Sequence, residues 1–141
     1  RDDLVTGVQT CALPISGNDL RFVGIDDADA LDTVPKGLAK MNLAAGPYTV
    51  LLYHRPDGLE AAAQAGVDLM LCGHTHNGQI VPFNALVKKR FPRIMGHYQH
   101  QDTHLNVSAG TGTWGPVLRL GSVNELTVID LHPEATAGAL S

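Results

Sequence analysis

Residues 49–76 read TVLLYHRPDGLEAAAQAGVDLMLCGHTH. Residues 49–53 form a continuous apolar run of strand length, the pattern of a strand covered on both faces. Asp57 is a helix-capping residue, residues 58–65 are alanine-rich, and Gly66 is a helix stop. Residues 67–72 repeat the apolar strand pattern. Strand, helix and strand in this order predict a β-α-β unit with parallel strands and a right-handed crossover. The fold class expected is therefore α/β.

Upstream, residues 20–25 read as a short strand followed by the acidic turn Asp26-Asp27. Thr33 is placed to cap a helix that has Pro35 in its first turn and runs to about Asn42. Downstream, residues 81–103 carry Pro82, Pro92 and Gly96 and read as irregular. Residues 105–108 look like a strand, 110–116 like a Gly-rich turn, and 117–120 like another short strand. Residues 125–131 alternate with period two, which predicts a half-buried terminal strand.

His54 follows the first strand of the unit, and His74 and His76 follow the second. Side chains at the carboxyl ends of parallel strands face the edge where open α/β sheets bind ligands. A His-x-His pair on extended backbone puts both imidazoles on one side, and neutral imidazole is a ligand for Zn, Mn and Fe. Three histidines on two strand ends point to metal binding. The competing reading makes them structural histidines that take up no metal.

The run His54-Arg55-Pro56-Asp57, then Gly-Val-Asp-Leu-Met-Leu-Cys-Gly-His-Thr-His-Asn-Gly-Gln-Ile, resembles the C-terminal half of calcineurin-like metallophosphoesterases. It is most similar to their bacterial phosphodiesterase-like branch. Residues 106–119, with Gly110-Thr111-Gly112-Thr113, and the closing Asn-Glu-Leu-Thr-Val-Ile continue the likeness, which covers roughly residues 19–132. The resemblance implies the C-terminal half of an α/β/β/α double-sheet sandwich holding two divalent metal ions (Mn, Fe or Zn). It implies that His54 and His74 serve one metal and His76 the other. It also implies a small phosphoester substrate, either a monoester or a diester, and no nucleic-acid partner. In an intact enzyme of this type the metals activate a hydroxide for in-line attack and neutralise charge on the phosphoryl oxygens.

The family also uses Asp-x-His, Gly-Asp-x-x-Asp and Gly-Asn-His-Asp/Glu motifs upstream of His54. None of them occurs here: Gly17-Asn18-Asp19 has no histidine, and Gly24-Ile25-Asp26-Asp27 has the wrong composition. No catalytic residue is therefore identified, and the 141-residue chain is expected to be inactive by itself. The alternative reading is a non-catalytic metal-binding or interaction module built on the same histidines.

Residues 5–15 resemble the conceptual translation of a DNA sequencing adapter, so residues 1–16 are read as a non-native segment. Residues 17–132 are then a partial phosphoesterase domain, and 133–141 a small, polar, disordered tail. Cys11 falls in the adapter-like stretch, which leaves Cys72 as a small buried hydrophobe with no disulfide partner. No apolar run reaches the roughly 18 residues of a membrane span. No targeting segment is read, and any membrane association of a bacterial parent is assigned to a missing N-terminal part. A net charge of −4 argues against a general nucleic-acid or anionic-membrane binder. Lys88-Lys89-Arg90 reads as a solvated loop face.

Four further sites are weaker. Trp114, in the Gly-rich turn, serves either as a wall of the substrate cleft or as a loop anchor. His97, His100 and His104 read as solvated loop histidines, Arg119 as a surface arginine, and Asp26 and Asp27 as turn residues. Sequencing the genomic locus should reveal the three missing motifs upstream of Gly17. A natural reading frame running through residues 5–15 would overturn the adapter reading.

Overall fold

The computed structural model describes residues 9–15, 18–41, 43 and 45–132. Their elements are β1 (Gln9–Ile15), β2 (Asn18–Gly24), α1 (Thr33–Lys40), β3 (Tyr48–Leu52), α2 (Leu59–Gln64), β4 (Leu69–Cys72), α3 (Phe83–Arg90), β5 (Gly96–His100) and β6 (Thr103–Val107). The strands form one six-stranded sheet in the order β1-β2-β3-β4-β6-β5. β2, β3, β4 and β6 run parallel, while β1 and β5 pair antiparallel at the two edges. The chain is thus α/β, with the expected β3-α2-β4 unit at the centre.

Most of the adapter-like stretch lies in β1, hydrogen-bonded to β2 from Gln9↔Gly24 to Ile15↔Asn18. Such pairing uses main-chain groups alone, and Pro14 is tolerated because the strand is an edge. The tail, residues 133–141, lies outside the described residues.

The core forms where α1 and α2 cover one face of the sheet. Val34 and Leu38 of α1 and Leu59 and Ala62 of α2 meet Val23, Leu51, Met70, Leu105 and Val107, all buried. These strand residues share a face because successive side chains alternate. The other face is covered less evenly, with Val50 at 0% exposure and Leu52 at 45%. Polar ties set the start of the parallel pair. Asp68 Oδ2 accepts from the Thr49 N–H at 2.6 Å, and the Asp68 N–H donates to the Thr49 carbonyl at 3.0 Å.

The structure corrects several expectations. Thr33 is the first helical residue rather than the cap, and its hydroxyl donates to the Ala30 carbonyl. Asp57 does not cap α2: Gly58 occupies that position at φ 88°, and Asp57 instead meets Arg90 at 3.4 Å. The stretch 81–103 is not irregular but contains α3 and β5; Pro82 ends as the residue flanking α3, outside its interior. Lys88, Lys89 and Arg90 accordingly form the last turn of a helix. His97 and His100 lie on β5 and His104 on β6, not in a loop. Residues 117–120 contribute only the bridge Ile80↔Leu120. Residues 125–131 form no strand, and Leu126 and Val128 are 83% and 76% exposed. A period-two pattern makes a strand only where a sheet edge and an apolar face are available to it.

Gly58 combines a left-handed φ with a crowded site, since a Cβ there would come 2.6 Å from Val34 Cβ. Gly66 has φ 76° but nothing within 4 Å of such a Cβ. Gly58→Ala should therefore cost about 2–4 kcal/mol in urea unfolding, and Gly66→Ala only about 1–2 kcal/mol. Equal losses for the two variants would refute the steric contact between the α2 cap and α1.

Candidate metal centre and adjoining cleft

The two strand ends come together through main-chain pairing that outlasts the strands. The Tyr53 N–H donates to the Leu71 carbonyl at 3.2 Å, and the Gly73 N–H to the His54 carbonyl at 3.0 Å. His54 and His74 therefore leave the sheet side by side. His54 Nε2 and His74 Nδ1 are 2.9 Å apart, with the rings edge to face at 4.8 Å between centroids. Phe91 stands against the other side of His74 at 5.0 Å.

His76 is held elsewhere. The His-x-His segment is not extended as expected: His74 and His76 have φ of 68° and 48°, and Asn77 and Gln79 follow at 51° and 52°. A tight turn with left-handed residues replaces the extended strand, so the period-two argument for the two imidazoles no longer applies. Among the described residues, no group of three or more His, Cys, Asp or Glu side chains converges as a metal site. The chain thus places His54 with His74, and His76 apart from them.

Non-glycine residues at positive φ are strained, and neighbouring contacts hold them in place. Thr75, buried, donates from its hydroxyl to the Ile94 carbonyl at 2.5 Å. Gln79, 4% exposed, accepts from the Trp114 N–H at 2.5 Å and donates to the carbonyls of Trp114 and Pro116 at 2.8 and 3.1 Å. Arg119 donates to the carbonyls of His76, Ala109, Gly110 and Gly112 at 3.1, 2.8, 3.1 and 2.5 Å. Its Nη2 also lies 3.4 Å from His76 Nδ1. Arg119 is therefore a half-buried hub rather than a surface arginine. Sequence reasoning missed both anchors. The signal for Arg119 was a lone charge in the apolar run Val117-Leu118-Arg119-Leu120; for Gln79 there was none.

Arg55 secures the other side. Its Nε and Nη2 donate to the Asp27 carboxylate at 2.8 and 3.2 Å, and its Nη1 donates to Asp29 at 2.5 Å. This hydrogen bonding holds the Asp27 carboxyl below its usual range. Asp27 is thus a loop anchor as well as a turn residue. The Arg55 carbonyl accepts from the buried Cys72 thiol at 3.1 Å. Burial pushes that thiol's pKa up, so Cys72 is a protonated core side chain and not a thiolate ligand.

Burial, aided by the charges of neighbouring groups, lowers the pKa of His74. Burial and then the Arg119 charge lower that of His76. Both imidazoles are therefore neutral at pH 7, the form whose ring nitrogen can bind a metal.

Beside the histidines lies a cleft of about 280 Å³ lined by His54, His74, His76, Phe83, Phe91 and Trp114, among others. Trp114 is 65% exposed, and its ring lies parallel to that of Phe83, 6° between planes and 6.4 Å between centroids. The main chain of Trp114 is anchored by Gln79, and its ring lines this cleft.

The depressed histidine pKa values carry a sign. The unfolded chain takes up protons near the ordinary value of 6.5, before the folded chain does, so stability should fall as pH drops through that region. The melting temperature of the metal-free chain should therefore decline from pH 7.5 to 5.5, and decline less in His74→Asn/His76→Asn. A slope unchanged by that double substitution would contradict the depressed values.

Parts of several known proteins are similar to this sequence. No family model matches the chain, and no solved structure matches it. An uncharacterized metallophosphoesterase of Campylobacter jejuni is 36% identical over 80% of this chain and 32% of its own length. The Escherichia coli phosphodiesterase YaeI is 30% identical over 87% of this chain and 45% of its own length. A bovine transmembrane protein with metallophosphoesterase domain is 42% identical over 60% of this chain and 20% of its own length. The chain thus spans less than half the length of each of these relatives. Among the described residues, no helix is long and apolar enough to cross a membrane. With its histidines at the ends of adjacent parallel strands and matched relatives over most of its length, the chain belongs to the calcineurin-like metallophosphoesterase family.

Proposed function

We propose that the intact protein hydrolyses phosphoesters, monoesters or diesters, with two divalent ions, and that this chain supplies the C-terminal share of that site. The observation carrying the reading is the His54–His74 pair, with ring nitrogens 2.9 Å apart. Two nitrogens bound to one tetrahedral ion at 2.0–2.1 Å would lie about 3.3 Å apart, so a small opening of the pair accommodates a metal. Both residues stand at strand ends, and His74 is neutral at pH 7. In this reading His54 and His74 hold one ion, His76 belongs to the second, and Trp114 lines the substrate cleft.

The donor set is incomplete. Neutral imidazoles bring no negative charge, so a dication binds weakly until carboxylates from the rest of the site complete it. Bound ions at such a centre supply Lewis acidity toward the phosphoryl oxygens and lower the pKa of water. Within the chain, burial lowers the pKa of His74 and of His76, and Arg119 holds His76. Residues 1–16 are taken as foreign to the protein and 17–132 as the partial domain.

The purified chain, given an aryl phosphodiester and Mn²⁺, should show no turnover, while the intact parent should hydrolyse it and lose at least about 100-fold in rate with His74→Ala. Turnover by the chain itself would refute the incomplete-site reading. Zinc titration separates the alternative, a non-catalytic metal-binding module: that reading requires tight one-to-one binding by the chain, abolished by His74→Ala, and an inactive parent.

A further inference from the structure

The cleft is lined by side chains of two kinds, the imidazoles of His54, His74 and His76 and the apolar groups of Phe83, Val87, Phe91 and Trp114. With phosphate held at the imidazoles, the apolar lining is what meets the group esterified to the phosphorus. The rings of Phe83 and Trp114 are parallel within 6°, so a flat group can lie face-on to Trp114 and stay aligned with Phe83. A puckered aliphatic ring of the same size cannot match that alignment.

The platform is also built. Trp114 is highly exposed, yet its main chain is held on both sides by the buried Gln79 amide, at 2.5 Å to the N–H and 2.8 Å to the carbonyl. Gln79 itself is fastened, because its carbonyl accepts from the Leu120 N–H at 2.9 Å and the Ser122 hydroxyl at 3.1 Å. Phe83 begins α3, which packs closely on the histidine loop: a Cβ on Gly78 would fall 2.3 Å from Asn84 Cα. Both rings are thus carried by elements anchored to the loop that bears His74 and His76. An exposed indole held this firmly loses little freedom when a ligand stacks on it.

We propose that Trp114 and Phe83 form a specificity platform selecting phosphoesters that carry a planar aromatic group, with Gln79 as the residue positioning Trp114. The proposal rests on the phosphoester reading of the cleft, and its test separates the two.

Binding to the purified chain is followed by NMR, with and without Zn²⁺, using phenyl phosphate, cyclohexyl phosphate and inorganic phosphate. Phenyl phosphate should bind about three- to tenfold more tightly than cyclohexyl phosphate in either state, with its ring protons shifted upfield by stacking. Trp114→Leu should remove the preference and the shift. Trp114→Phe should retain part of both. Gln79→Glu, which keeps the acceptor and loses the donor, should weaken the preference. Equal affinity for the two esters, or a preference that survives Trp114→Leu, overturns the platform. The ring preference is measured without metal as well, so it tests the platform separately from the phosphoester reading, which stands or falls on turnover by the intact parent.

Discussion

The site depends on the register of β3 against β4. Val50 faces Leu69, Leu51 faces Met70 and Leu52 faces Leu71, and the pairing continues past the strands to Tyr53 and Gly73. A one-residue slip would turn Leu51 and Met70 away from α1 and α2 and expose them. Burying two such side chains is worth about 1.5–3 kcal/mol each, which far exceeds any direct interaction between the histidines. Core packing therefore sets the separation of His54 and His74. The Asp68–Thr49 ties at the opposite end of the pair reinforce the same register.

Beyond the strand ends the constraint changes from packing to polar anchoring. Four non-glycine residues of the histidine loop, His74, His76, Asn77 and Gln79, stand at positive φ. At about 1–2 kcal/mol each, their strain is too large for a loop left to itself. Charge-assisted hydrogen bonds are worth about 1.5–3 kcal/mol each, so the Arg119 contacts alone offset much of it. The same side chain fastens the Gly-rich turn at Ala109, Gly110 and Gly112. One guanidinium thus couples the histidine loop to the turn that carries Trp114, and Gln79 makes a second, independent connection.

What could be read in the residues follows from how local the determining physics is. The β3-α2-β4 unit was legible because apolar runs, an alanine-rich helix and Gly66 act within a few residues. His54 and His74 were legible because a strand end is a place, and parallel strands bring two such places together. α3 was hidden by its composition: Phe83-Asn84-Ala85-Leu86-Val87 lies between prolines and buries none of its residues fully. β5 was hidden for a similar reason, since Gly96-His97-Tyr98-Gln99-His100 is polar and becomes a strand only by pairing with β6. The conformation of the His-x-His segment and the role of Gln79 were not legible, and for Arg119 the lone charge in an apolar run gave no partner. They depend on contacts 35 to 43 residues apart in the chain.

The misreading of residues 125–131 is the most informative. Its alternation is genuine, yet Leu126 and Val128 stand in solvent here. The sheet face carrying Val50 and Leu69 also runs out into the exposed Leu52. A patterned strand without an edge and a sheet face without full cover are complementary deficits. Each apolar side chain left in water forgoes roughly 1.5–3 kcal/mol. The histidine loop has a comparable deficit, since among the described residues no carboxylates converge on its imidazoles. Uncovered apolar surface and an unfinished donor set are both what the proposed reading of the histidines as one part of a larger site requires.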